Sequence, residues 1–414
     1  MNREQHLTIK NLGPIKNCEI DLTKMIVLDG PQAAGKSTVA KAIFFFRTLK
    51  DDIVNALISP YADPVIKSEI QNRLREKFVR LFGDNIATNT FVAFDYGEDL
   101  SLEISHNFPK KIDKKILDWT GKFFDVKLTS RDKTTLYQEI SMLFGDFQEV
   151  VYIPAGRSML SILSEPLSHI LFNLDDEQKN MIDYCTTDYI NRVTKIKPIF
   201  RSPEKLIFAD RNSEINSEFL SLIREKMWKI LSGRYKYLNG EEFLQLFDGE
   251  EKDIKIQFTS SGQQEVLWIL NLVYYYLLKD KPTCFIIEEP EAHLYPNSQK
   301  EIAEYIALAL SEKNSCVLTT HSPYILGTLS NLLDARRMMN EGYNISELLE
   351  KENLTVAQLL QSSDFSAYFV DDGKLYNAVD GENGLIKNEL IDGASDKING
   401  FADELFEIER GGNF

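Results

Sequence analysis

The segment Gly30-Pro31-Gln32-Ala33-Ala34-Gly35-Lys36-Ser37 fits the pattern G-x-x-x-x-G-K-[ST], whose chemistry is phosphate binding. Gly30 and Gly35 let the backbone turn tightly and bring its N–H groups against phosphate oxygens. Lys36 is spaced to reach β and γ phosphates and Ser37 to hold Mg²⁺, with Thr38 following in the loop-to-helix turn. A second segment, Phe285-Ile286-Ile287-Glu288-Glu289-Pro290-Glu291, ends an apolar run in two acids. Glu288 can aim a carboxylate at a metal ion, and Glu289 can polarise an attacking water. In Thr259-Ser260-Ser261-Gly262-Gln263-Gln264, hydroxyl and N–H donors gather at a helix start, which suits an anion. In Thr319-Thr320-His321-Ser322-Pro323, a lone histidine follows an apolar run, where it can meet a γ phosphate.

Each segment has a plainer alternative: a glycine turn, a strand leaving the core, an ordinary helix cap, a structural histidine. Their order and their flanks favour the chemistry. Short apolar runs at 25–28, 283–287 and 316–320 read as buried strands, and 254–258 alternates like one. Residues 39–44 and 266–278 read as helices, so the glycine loop has the strand-turn-helix setting it needs. Glu291 and His293 are expected in a loop near a subunit interface.

Together the four segments resemble the ABC-type ATPase heads of the SMC, RecF and OLD group. The likeness is strongest to compact bacterial AAA-family ATPases of phage-defence systems, which carry the wordings E-E-P-E-x-H-L-x-P and T-T-H-S-P. Residues 7–15 resemble the first strand and turn of those proteins, and 150–157 their strand and Arg-bearing turn. The resemblance implies an α/β P-loop NTPase fold with an ABC-type head, a two-lobed sheet core and an inserted helical lobe. It implies that Gly30 to Thr38 is the Walker A loop and Glu288 the Walker B acid. By it Glu289 is the catalytic glutamate, Ser260 to Gln263 the signature and His321 the switch histidine. Arg157 and Gln148 are accessory candidates, Gln148 as the lobe glutamine. The implied cofactors are ATP and Mg²⁺. The implied assembly is a head-to-tail homodimer in which the signature completes the partner's site. Such a switch would control a separate effector protein, a nuclease or toxin; a DNA-clamping repair ATPase and a scaffold with little turnover are the alternatives. Two features depart from the common pattern: the Walker B acid is Glu, and the signature reads Ser-Ser-Gly-Gln.

The chain has 414 residues, enough for two or three domains, and a formal net charge of −16. Residues 331–414 hold 17 Asp/Glu and 7 Lys/Arg. An acidic chain is a poor non-specific binder of nucleic acid as a whole. Two basic clusters could still meet a phosphate backbone: Lys110 to Lys133, and Arg192, Lys195, Lys197, Arg201, Lys205 and Arg211. A solvated face is the plainer expectation, because acids are interspersed. The four cysteines contain no C-x-x-C and read as core thiols of a reducing compartment. A polar start and the shortness of the 266–278 run lead to the expectation of a cytoplasmic protein without a membrane span.

The expected organisation is ATPase lobe I over 1–157, a helical insertion over 158–240, lobe II over 241–330 and an acidic C-terminal segment over 331–414. Lobe I should contain a hairpin around Gly97 and helices over 51–85 and 135–144. A second hairpin, around Asp248-Gly249, should lead into the signature. The last segment should hold a hairpin turned at Asp371-Asp372-Gly373 and a closing helix over 402–408. Those paired aspartates read as a turn rather than as nuclease ligands.

Overall fold

The computed structural model describes residues 4–58, 66–84, 86–105, 133–175, 181–201, 217–247, 252–310 and 313–391, with isolated positions beyond these stretches. The chain opens with strands β1 (His6–Leu12), β2 (Ile15–Asp21) and β3 (Met25–Asp29), then helices α1 (Lys36–Arg47), α2 (Leu49–Ile58) and α3 (Ile66–Phe82). Next come β4 (Phe91–Asp95), β5 (Ser101–Ser105), α4 (Lys133–Phe144) and β6 (Glu149–Ile153). A helical stretch holds α5 (Arg157–Ile162), α6 (Ser164–Asn173), α7 (Tyr184–Ile196) and α8 (Ser217–Leu231). A small meander, β7 (Gly233–Leu238), β8 (Glu241–Leu246) and β9 (Asp253–Lys255), precedes α9 (Ser261–Leu278) and β10 (Thr283–Glu288). The rest is α10 (Pro296–Ala309), β11 (Ser315–Thr319), α11 (Pro323–Asn340), α12 (Ser346–Lys351), β12 (Phe365–Asp371) and β13 (Lys374–Asn377).

Ten strands form one mixed sheet in the order β5-β4-β1-β2-β13-β12-β3-β11-β10-β6. The half from β12 to β6 is parallel, and β1, β2, β4 and β5 are joined antiparallel. Helices cover both faces of the parallel half, so its strands have no solvent face and read as continuous apolar runs. Alternate residues enter two separate cores. Met25, Val27, Phe285, Ile287 and Leu318 join the core under α8 to α11. Ile26, Leu28, Cys284, Ile286 and Val317 join the one under α1 to α4. All four cysteines are buried and free.

This is the expected α/β P-loop architecture, with three differences of detail. Residues 254–258 do not stay extended: β9 ends at Lys255, and a 3₁₀ turn spans Ile256–Phe258. Among the described residues of the expected insertion over 158–240, the last helix ends at Leu231, and β7 already belongs to the meander that leads into α9. The C-terminal hairpin is present, with Asp371-Asp372-Gly373 as its turn, but it is no appendage. Strand β12 pairs parallel with β3 and β13 meets β2, so the hairpin sits in the middle of the main sheet. The closing helix over 402–408, the 110–131 part of the first basic cluster, Lys205 and Arg211 lie outside the described residues. Arg192 is spent on Asp188 and Glu149, and Lys197 is 2% exposed and paired with Glu242. Among the described residues of the second cluster, these two are internal ties rather than a surface for phosphate. No helix among the described residues is long and apolar enough to cross a membrane.

At the N-terminal edge of the parallel strands, Asp146 is 4% exposed and takes hydrogen bonds from Arg47 Nε and Nη2, each at 3.1 Å. Lys50 Nζ lies 3.2 Å from the same carboxylate. Burial pushes the Asp146 carboxyl up, but Arg47 and Lys50 overcome it and hold it below its ordinary 3.8. A folded value below the unfolded one contributes stability that is fully present above the ordinary value and lost as pH falls through the folded one. Asp146→Asn leaves two buried cations without a counter-charge. It is expected to lower unfolding stability in urea by about 3 kcal/mol at neutral pH. The gap to the parent should begin to close only below about pH 4.

Candidate active site

Strands β3, β10 and β11 end level with one another: Glu288 is in register with Thr319, and Thr319 with Leu28. Their C-terminal ends deliver the glycine loop, the acid pair and the histidine to one edge of the sheet, where open α/β sheets bind ligands. In the loop, Gly30 has φ +140°, and a Cβ there would stand 2.3 Å from the Val370 carbonyl oxygen of β12. Gly35 has φ +114°, and its Cβ would strike Ile15 at 2.4 Å. Gly35 is also the N-cap of α1, and no side chain caps that helix. The N–H groups of its first turn therefore remain available to an anion. Pro31, Gln32 and Ala33 are exposed, Ala34 and Thr38 are partly buried, and Ser37 is exposed on the first turn. Lys36 folds back into the loop: its Nζ donates to the carbonyls of Gly30 at 2.6 Å and Pro31 at 2.9 Å.

The two acids differ in environment. Glu288 is 6% exposed. Its Oε2 accepts the Ala155 N–H at 3.1 Å, while its Oε1 is buried without a partner. An orphaned carboxylate oxygen at a strand end, on the same sheet edge as the first turn of α1 that carries Ser37, suits a small hard cation that takes its other ligands from water and phosphate. Among the described residues no group of three or more His, Cys, Asp or Glu could cage a metal ion unaided. Glu289 has left the strand: its φ is +43°, and its N–H donates to the Thr319 carbonyl at 2.9 Å. Its side chain is about one third exposed and lies 3.9 Å from His321 Nδ1. The pair thus combines one enclosed carboxylate with one that faces solvent.

His321 follows β11 and is 55% exposed. Ser322 caps α11, its Oγ accepting the N–H groups of Tyr324 and Ile325, and Pro323 takes the first helical position. The T-T-H-S-P wording is thus a strand end, a histidine and a helix start in five residues. At the other helix start, Ser260 and Gln263 form a reciprocal capping box on α9. Gln263 Nε2 is spent on the Leu231 carbonyl at 2.8 Å. Ser260 and Ser261 face solvent, and a Cβ at Gly262 would meet the His293 carbonyl at 2.9 Å.

A family model described as the AAA ATPase domain matches residues 5–326. The chain belongs to this AAA ATPase domain family. No curated protein matches it. Among solved structures it is similar to an Smc head bound to the C-winged helix domain of ScpA, at 12% identity over 91% of this chain and 97% of that one, TM-score 0.41. It is similar to the SMC head domain from Thermotoga maritima, at 11% identity over 79% and 92%, TM-score 0.34. A third is the Smc head domain from Pyrococcus furiosus with an extended coiled coil, bound to the C-terminal domain of ScpA, at 13% identity over 91% and 96%, TM-score 0.37.

Neither expected accessory residue of this AAA ATPase domain presents its side chain to a ligand at the site edge. Gln148 precedes β6 at the opposite end of the sheet, where its Oε1 accepts from Arg47 and Ser315 and its Nε2 donates to the Lys313 carbonyl. A glutamine before the strand, rather than after it, cannot face a ligand at the C-terminal edge. Arg157 is 0% exposed, so it cannot touch a bound nucleotide. Its Nε donates to the Glu265 carbonyl at 2.9 Å, and its Nη1 to the Pro154 and Glu288 carbonyls at 3.1 and 2.7 Å. Its Nη2 donates to the Glu289 carbonyl at 2.9 Å. Burial pulls the guanidinium pKa down, and Glu265 opposes that.

Sequence reasoning overlooked two acids, Asp29 and Glu265. Asp29 ends β3 at 7% exposure, and burial pushes its carboxyl above the ordinary value. Glu265 is 2% exposed and accepts from Ser158 Oγ at 2.5 Å. A single acid at the head of an apolar helix was the available signal, since such a group requires a partner. Glu291, expected in an interface loop, is 4% exposed and bound to the histidine segment. Arg157→Lys tests the clamp. A lysine lacks the planar fork and leaves carbonyls of Glu288, Glu289 or Glu265 unsatisfied. The expected loss is about 2–3 kcal/mol of unfolding stability, measured by urea denaturation; an unchanged midpoint would contradict the role given to the guanidinium.

Proposed function

We propose that this chain binds ATP with Mg²⁺ in the 30–38 loop and hydrolyses it at the interface of a head-to-tail homodimer. The observation that carries this reading is the convergence of Lys36, Glu288, Glu289 and His321 on one sheet edge, while Ser260 and Ser261 stay open to solvent. Lys36 would exchange the Gly30 and Pro31 carbonyls for β- and γ-phosphate oxygens. Burial draws its pKa down from the ordinary 10.5, and the surrounding Glu289, Asp29, Glu291 and Glu288 oppose that without overcoming it. Ser37 and the free oxygen of Glu288 would hold Mg²⁺, which supplies charge neutralisation at the phosphates. Glu289 would take the proton from the attacking water, and His321 would hold the γ phosphate.

An anion site at the start of α9 needs a ligand from outside the chain. A second copy supplies it: Lys36 and Ser37 from one protomer face Ser260, Ser261 and Gly262 of the other across the nucleotide. Closure on ATP and opening after hydrolysis make a two-state switch. We read its output as control of a separate effector, a nuclease or toxin of anti-phage defence. That reading rests on the E-E-P-E-A-H-L-Y-P and T-T-H-S-P wordings. The DNA-clamping alternative is less favoured, because Arg192 and Lys197 are held in internal ion pairs.

Lys36→Ala is expected to abolish binding of a fluorescent ATP analogue. Glu289→Gln should bind ATP normally, release phosphate about 100-fold more slowly, and accumulate as an ATP-dependent dimer in size-exclusion chromatography with light scattering. Normal hydrolysis by Glu289→Gln would refute the base assignment. A monomer in saturating ATP would refute the shared site. Glu289→Gln recovered from its native cells with ATP should carry a stoichiometric protein partner. Nucleic acid alone, lost at moderate salt, would instead support DNA binding.

A further inference from the structure

We propose that Glu291 is the positioning residue of His321, and that it ties the histidine to the acid pair. The inference rests on the phosphate-contacting role proposed above for His321. Glu291 stands three residues after Glu288, beyond the turn made by Glu289 and Pro290. Its carboxylate is buried, and one oxygen does nearly all the binding. Oε1 accepts the Thr320 hydroxyl at 2.7 Å and the His321 backbone N–H at 2.8 Å, and His321 Nδ1 lies 3.3 Å from it. Oε2 is buried without a partner. A buried carboxylate is costly unless hydrogen-bonded, so half-satisfying one is a poor way to stabilise a loop. Here each hydrogen-bond donor, and the nearby ring nitrogen, belongs to the two-residue segment that carries the histidine.

The consequence for the ring is directional. Nδ1 faces the carboxylates of Glu291 and, at 3.9 Å, Glu289. Nε2 is therefore on the edge turned away from both, free to face a ligand. The backbone behind the ring is fixed as well. Thr320 Oγ1 accepts the Ser322 N–H at 3.0 Å, and Ser322 Oγ donates to Gln299 at 2.5 Å while capping α11. Thr320, Ser322 and Gln299 lie on or behind the histidine segment. Glu291 alone of these anchors belongs to the segment that carries Glu288 and Glu289. Beside the Glu289 N–H bond to the Thr319 carbonyl, this carboxylate oxygen gives the acid segment a direct side-chain hold on Thr320 and His321.

The test is a double-mutant cycle on steady-state ATP hydrolysis, with nucleotide affinity measured separately using a fluorescent ATP analogue. Glu291→Ala is expected to lower kcat about 10- to 100-fold, as loss of alignment does, with nucleotide affinity changed by no more than about twofold. Glu291→Gln keeps an acceptor oxygen in place and should recover most of the rate. His321→Ala should cost about as much as Glu291→Ala, and combining the two should add no further loss. If the two losses multiply, or if Glu291→Gln is as slow as Glu291→Ala, Glu291 does not act through His321 and the inference falls. If His321→Ala turns over like the parent, the role of His321 itself falls, which separates the two failures. Should Glu291→Ala not fold, Glu291→Asp, which withdraws the oxygens by one methylene, takes its place in the cycle with the same expectations.

Discussion

The site edge depends on one buried guanidinium. Arg157 is 0% exposed and satisfies carbonyls from three separate stretches: Pro154 after β6, Glu265 in α9, and Glu288 with Glu289 at the end of β10. Desolvating an arginine is costly, and only dense, charge-assisted hydrogen bonding offsets it. Its planar fork suits carbonyls that converge from several directions. What it secures is an awkward conformation. Glu289 sits at φ +43°, a region that costs a non-glycine residue about 1–3 kcal/mol. Such a conformation persists only where its surroundings over-determine it. Arg157 holds the Glu289 carbonyl from one side, and Thr319 holds its N–H from the other. The left-handed turn takes the second acid out of the strand direction, so that Glu288 stays enclosed while Glu289 faces solvent.

A second constraint comes from the far end of the chain. Strand β12 lies beside β3, and the Val370 carbonyl approaches Gly30 so closely that no side chain could stand there. The hairpin turn presses on the β1–β2 connection in the same way: a Cβ at Gly373 would stand 2.4 Å from the Pro14 carbonyl oxygen. Gly30 thus meets two demands, a backbone turn open only to glycine and a close approach by the C-terminal hairpin. The glycine loop is therefore braced by residues about 340 positions later in the chain, and the shape of the loop and the docking of the hairpin stand or fall together.

These two constraints also explain what could be read in advance. The glycine loop, the acid pair and the histidine are local patterns, each set by a strand ending next to a turn, and neighbouring residues suffice to place them. The parallel strands were legible because burial on both faces leaves an unbroken apolar run. Long-range placement was not legible. Nothing around 365–377 distinguishes a hairpin at the sheet centre from one at its margin, because pairing with β3 depends on residues far away in sequence. The direction of a strand relative to its neighbours decides which of its ends faces the ligand, and Gln148 falls at the wrong one. The positive charges of Arg192 and Lys197 looked like surface because Glu149 and Glu242 are 43 and 45 residues away, although Arg192 also meets Asp188 one helical turn back. The resemblance offered Arg157 as an accessory to the site, and its work is to donate hydrogen bonds to main chain.

The stiffness of the site is uneven, and this bears on how it could act as a switch. Around Glu288 and Glu289, main-chain groups are tied by Arg157 and Thr319, and the Glu288 carboxylate by the Ala155 N–H. The loop at 31–33 is exposed, and Lys36 returns to the loop's own carbonyls. In the proposed ATP complex, phosphate oxygens would take the place of those two carbonyls. Helix α9 is different. Glu265, in its second turn, gives its carbonyl to Arg157 Nε and places its carboxylate 3.6 Å away. In the proposed dimer, the start of α9 would be drawn toward the partner's nucleotide. Any tilt of that helix would move the Glu265 carbonyl, and Arg157 could keep all four acceptors only if the Glu288 and Glu289 carbonyls moved with it. Engagement of one protomer's signature would thereby be felt at the same protomer's catalytic acid, through a single side chain that never touches the nucleotide.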